Sequence, residues 1–149
     1  MVKAEFIASG SEVNFALKIA CELTANIFLN EESYSNSKWI DIRCNSLQDA
    51  EILDELMWAS PENILLPHKL IHNKDEDIHI NIGYPGTIFS TEKNKSLINI
   101  AIDLPRNIDH YDYFYQLVIE DNSTLREGAA EAWNICKQKG LNPLFKKWQ

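Results

Sequence analysis

The stretch Leu97–Ile102, Leu-Ile-Asn-Ile-Ala-Ile, limits the possible folds more than any other part of this chain. It is apolar at five of six positions and does not alternate. A strand with one wet face alternates polar and apolar residues. An unbroken apolar strand is instead a central one, covered on both faces by other elements. The rest of the chain supplies the covering layers.

Lys3–Ala8 reads as a first strand, punctuated by Ser9-Gly10-Ser11. Val13 to Leu29 then contains neither Gly nor Pro and places Val13, Leu17, Ala20, Cys21, Thr24 and Phe28 at helical spacing. Lys38–Arg43 alternates as a strand does. Ser46, with Asp49 three residues on, resembles a capping box that opens a helix from Leu47 to about Met57. His79–Ile82 reads as another strand, with His68–Lys69 before it as an exposed connection. Tyr111–Glu120 reads as a short helical turn followed by a strand ending at Ile119. Asn122 or Ser123 caps a last helix to Lys139, which Gly140 stops. The order β-α-β-α-β-β-β-α predicts one α/β domain over residues 1–149. Its expected form is a Rossmann-like, mostly parallel or mixed sheet with helices on both faces.

At 149 residues the chain can bury one sizeable core, and it shows no repeat or linker. No apolar run approaches the roughly 20 residues of a membrane helix, and the first residues lack a signal-peptide core. A cytoplasmic protein without a membrane partner is expected. Cys21, Cys44 and Cys136 form no Cys-x-x-Cys pair, so they read as buried free thiols. The net charge of −8 argues against direct binding to a phosphate backbone. Residues 126–149 carry five cations against two carboxylates, a net +3, which leaves −11 on residues 1–125. A basic section on an acidic body points to an acidic partner at that end.

The fold invites a nucleotide, but the residues for one are absent. The first strand-to-helix turn, SGSEVN, has a single glycine, and no GxxxxGK[ST] loop occurs. His68 and His72 are four apart beside the run Asp75-Glu76-Asp77, a zinc spacing only if a helix holds both. Directly after Pro67 a solvated loop is expected, with no metal. No Gly-x-Ser-x-Gly elbow and no isolated acid–base pair stands out. No catalytic residue and no cofactor is expected.

Two surfaces remain. In LDELMWASPENILLPHKL, residues 53–70, Trp58 is followed by a short apolar run stiffened by Pro61 and Pro67. An aromatic anchor beside a preordered loop suits a protein interface, because little entropy is lost on binding. The alternative is that Trp58 plugs the end of the core. On the last helix, Leu125, Ala129, Ala132 and Cys136 form the stripe that should face the sheet. Arg126, Ala130, Trp133 (or Asn134) and Lys137 form the next stripe. Trp133 between two cations could hold a peptide ending in an apolar residue and a carboxylate. The alternative is a half-buried tryptophan sealing helix to sheet.

At these residues the chain resembles the chi subunit of bacterial DNA polymerase III. The resemblance rests on LDELMWASPENILLPHKL, on the strand and long helix at the start, and on AAEAWNICKQKG followed by LNPLFKKWQ. It implies a Rossmann-like fold without a nucleotide site and a non-catalytic adaptor in DNA replication. By position, Trp58, Pro61, Leu65, Leu66, Pro67 and His68 would meet the psi subunit of the clamp loader. A helicase or another clamp-loader subunit would take that place where psi is absent. Ile119, Arg126, Ala130, Trp133, Asn134 and Lys137 would meet the acidic C-terminal tail of the single-stranded-DNA-binding protein, so DNA is met only indirectly. Ala130 stands where the family usually has an arginine, and Asn134 where a basic residue usually follows the aromatic. Arg126 and Lys137, on the same stripe, are the candidates to replace them. Two other readings are a small nucleotide- or metabolite-binding protein or enzyme on this fold, and a repair-side adaptor for a helicase.

Overall fold

The computed structural model describes residues 2–29, 39–59, 67–71, 79–89, 95–120 and 123–148. Lys38, Pro61, Leu65, Leu66, His72, the acidic run at 75–77 and Asn122 lie outside them. The described elements are β1 (Lys3–Ala8), α1 (Val13–Phe28), β2 (Trp39–Arg43), α2 (Leu47–Ala59), β3 (His68–Leu70), β4 (Ile80–Gly83), β5 (Lys95–Asn99), β6 (Tyr113–Val118), α3 (Ser123–Gln138) and β7 (Leu144–Lys147). The strands form one seven-stranded sheet in the order β3-β4-β2-β5-β6-β1-β7. Every pairing is parallel, so this is an open α/β fold.

Alternation along the strands divides the interior in two. Ile7, Ile40, Ile42, Ile80, Ile82 and Ile98 pack with α1 and α2. Ala4, Phe6, Leu97 and Phe114 pack with Ala132 and Cys136 of α3. Nine residues of α1 are buried, which is why its sequence is apolar on more than one face. The buried residues of α3 are Leu125, Ala129, Ala132 and Cys136, the stripe its spacing predicts. All three cysteines are free and buried, and burial pushes the Cys21 thiol up to about 12, which leaves it unreactive.

The caps follow the predicted chemistry. Ser46 Oγ accepts from the Asp49 amide at 3.1 Å and opens α2. Past α3, Gly140 adopts φ 79°, and the Leu141 amide returns to the Cys136 carbonyl at 3.0 Å. That closure needs a residue free of Cβ strain in the left-handed region.

Four expectations are corrected. β5 is central, fourth of seven, but it runs from Lys95 to Asn99 rather than from Leu97 to Ile102. The Asn99 amide reaches the Asp103 carbonyl at 3.0 Å and Gln116 Oε1 at 2.8 Å, turning the chain over the strand end. Ile100 and Ala101 stay buried in that turn, whereas Ile102 is exposed. His68–Lys69 is not a solvated connection but part of edge strand β3, in register with β4. The helical turn precedes Tyr111, at Ile108–His110, because Tyr111 is drawn inside by the bond from its hydroxyl to Asp41 Oδ2 at 2.7 Å. Finally, Leu144–Lys147 adds a seventh strand beside β1, where no element was expected.

Candidate partner interfaces

The sheet brings two separate surfaces to its two edges. At the β3 edge, Trp58 near the end of α2 is 57% exposed. Its ring lies 4.3 Å from the ring of His68, centroid to centroid. His68 is buried, and its Nε2 stands 3.2 Å from both the carbonyl and the carboxylate of Asp54. The imidazole therefore fixes the α2 end to β3 and forms a support against which the indole lies. Trp58 does not plug the core. Pro67, immediately before β3, is exposed.

At the β7 edge, α3 and the sheet enclose a groove of about 210 Å³. The sheet contributes Phe6, Val118 and Phe145, and the helix contributes Arg126, Ala129, Ala130 and Trp133. Small-molecule sites usually run to roughly 300–1,000 Å³, so this groove suits a side chain rather than a cofactor. Trp133 is half-buried, edge-on to Phe6 with centroids 5.1 Å apart, and Phe6 is edge-on to Phe114 at 5.8 Å. Trp133 seals the helix to the sheet and is at the same time a wall of the groove. Cations stand around the carbon-lined space. Arg126 Nη1 donates to the Glu120 carbonyl at 3.3 Å, and the Lys137 ammonium lies 5.6 Å from the Trp133 ring centroid.

Of the predicted helix residues, Arg126, Ala130 and Trp133 line the groove, with Lys137 beside the Trp133 ring. Asn134 is exposed and outside the lining. Ile119 is not a wall. It is buried in the α1-side core, and its neighbour Val118 takes the groove position. Phe6, Val118 and Phe145 were missed, since their part depends on β7 lying beside β1. The only sequence signal for them was the aromatic within the short tail LNPLFKKWQ.

Elsewhere the interior holds structural polar groups. Lys95 forms an ion pair with Asp41 in the middle of the sheet, and both are buried. Burial outweighs Lys95 and Tyr111 and pushes the Asp41 carboxyl up to about 6. Arg43 holds the Asp103 carboxylate at 2.8 Å and its carbonyl at 2.7 Å, pinning the loop after β5. At the β1–α1 turn, a Cβ on Gly10 would stand 2.7 Å from Phe15 Cδ1, and Glu12 occupies the N-cap. The turn thus carries an aromatic ring beside its single glycine and an acidic residue at the N-cap, where a dinucleotide site has further glycines. Among the described residues, no three His, Cys, Asp or Glu side chains gather to hold a metal, and no helix is long and apolar enough to cross a membrane.

An open parallel sheet with a carbon-lined groove at one edge and an exposed aromatic corner at the other defines a class: an open α/β protein with two distinctive surfaces at opposite sheet edges. Comparison with known families makes this specific. The family model of the DNA polymerase III chi subunit, HolC, matches residues 1–143, and the chain belongs to that family. It is therefore a non-catalytic accessory subunit of DNA polymerase III. No match is found among curated proteins.

Proposed function

We propose that this subunit is a two-ended adaptor, joining the clamp loader to protein-coated single-stranded DNA. The Trp58 corner docks the psi subunit, or a helicase or another clamp-loader subunit where psi is absent. The groove docks the acidic C-terminal tail of the single-stranded-DNA-binding protein. The observation that carries this reading is the carbon-lined groove with Arg126 and Lys137 beside it, on a chain whose net charge is −8. An apolar terminal side chain fits the space, and acidic residues have cations to meet.

Titration of the chain's tryptophan fluorescence with that tail peptide tests it. Saturable binding in the micromolar range, roughly −8 kcal/mol, is expected. It should weaken with salt, because the cations are exposed. Trp133→Ala and a peptide lacking its final residue should each abolish it. Binding that survives both changes, or none at low salt, overturns the reading of the groove.

A further inference from the structure

We propose that edge strand β7 is the second jaw of the groove and that Lys147 supplies the cation missing at Ala130. An acidic peptide ending in an apolar residue is then clamped between α3 and β7. Phe145 forms its outer wall, and Lys147 and Arg126 hold its carboxylates. This rests on the reading of the groove given above and adds residues to it from an element that the α3 stripe does not include.

β7 pairs with β1 so that Phe145 faces Phe6 and Lys147 faces Ala8. Alternation puts Phe145 and Lys147 on the groove side of the strand and Leu144 and Lys146 on the other. The two lysines differ in the way this predicts. Lys146 is engaged with the Glu5 carboxylate at 2.8 Å. Lys147 is exposed and has no carboxylate partner among the described residues.

The same register sets the position of Lys147 along the groove. Ala8 pairs with Lys147 on one side and with Val118 on the other. Val118, Ala8 and Lys147 therefore form one row across three strands, about 10 Å wide at ordinary strand spacing. Val118 lines the groove together with Arg126, which lies in the first turns of α3. Lys147 thus faces Arg126 across one end of the groove, within reach of one acidic segment. Phe145 is 57% exposed, so the outer wall it forms is open to a partner. A second copy of the chain is a poor occupant, since it would bring Lys147 and Arg126 against their own kind.

The probe is a synthetic acidic peptide with a C-terminal phenylalanine and free carboxylate, titrated into the full chain at two salt concentrations. Lys147→Ala should weaken binding about fivefold, the upper range for an exposed charge pair. Lys147→Glu should weaken it further, and Lys147→Ala should flatten the salt dependence. Lys146→Ala, on the other face, should bind as wild type does. Matched melting curves establish that the variants are folded. Equal affinities for Lys147→Ala and Lys146→Ala, with Trp133→Ala still abolishing binding, would overturn the clamp and leave the groove reading intact. Failure of the wild type to bind at either salt concentration overturns both.

Discussion

The two edges of the sheet solve the same problem differently. An edge strand exposes unpaired backbone groups and invites unwanted pairing. At β3 the strand is three residues long, and His68 is buried beneath Trp58 and held to Asp54. At β7 the strand is exposed along its whole length and carries Lys146 and Lys147. One edge is shortened and covered, whereas the other is charged and left open beside a groove. The contrast teaches that the two distinctive surfaces of this fold sit where its sheet would otherwise need protection. Six strand spacings, roughly 29 Å, separate the two edges.

The sharpest test of this comparison lies midway between the edges. Asp41→Ala removes the carboxylate that the buried Lys95 pairs with and should cost about 3–5 kcal/mol in chemical denaturation. Because β2 and β5 join the two halves, both edges should melt together. Separate transitions, followed through Trp58 and Trp133 in single-tryptophan variants, would break the picture of one cooperative sheet.

A smaller effect should distinguish the edges. A Cβ on Gly128 would stand 2.3 Å from the Ile102 carbonyl oxygen, so α3 rests directly on the loop after β5. Gly128→Ala must push the helix outward at a cost of about 1–3 kcal/mol. Peptide affinity at the groove should fall while binding at the Trp58 corner is unchanged. A loss at both surfaces would contradict their independence.

The smallest effect is a pH slope. Asp41 is raised from an ordinary 3.8 to about 6, so between these values the native state keeps a proton that the unfolded chain releases. The stability this group contributes is complete below the lower value and is lost as pH rises through the upper one. The slope cannot exceed about 1.4 kcal/mol per pH unit. Between pH 4 and 6 the stability of wild type should fall with rising pH relative to that of Asp41→Asn, and well above 6 the two slopes should coincide, as denaturation midpoints from pH 4 to 8 would show. Identical slopes throughout would remove Asp41 as the source.

Much of the fold was legible in the sequence, and the reason lies in burial. The bounds of β1, α1, β2 and α3 follow, to within a residue, from alternation, helical periodicity and cap or stop residues, and the sheet-facing stripe of α3 is read residue by residue. The two edge strands were not legible, because His-Lys-Leu and Leu-Phe-Lys-Lys show neither an apolar run nor clean alternation. Without β7 only the helical half of the groove could be named. Phe6 and Val118 look like ordinary core residues until Phe145 is placed beside them.

The pairing of β7 with β1 also bears on how the groove comes into being. Lys146 and Glu5, joined in the folded chain, are 141 residues apart in sequence. Contacts of such separation carry the largest loop-closure entropy and form late, after local helices and nearer strand pairs have condensed. The outer wall of the groove is thus expected to assemble after the walls built from nearer strand pairs, and hydrogen exchange at the β7 amides during refolding checks this. A nascent chain has no complete groove until Phe145 has left the ribosome. If the groove docks the tail as proposed, tail binding then reports that β7 has joined the sheet.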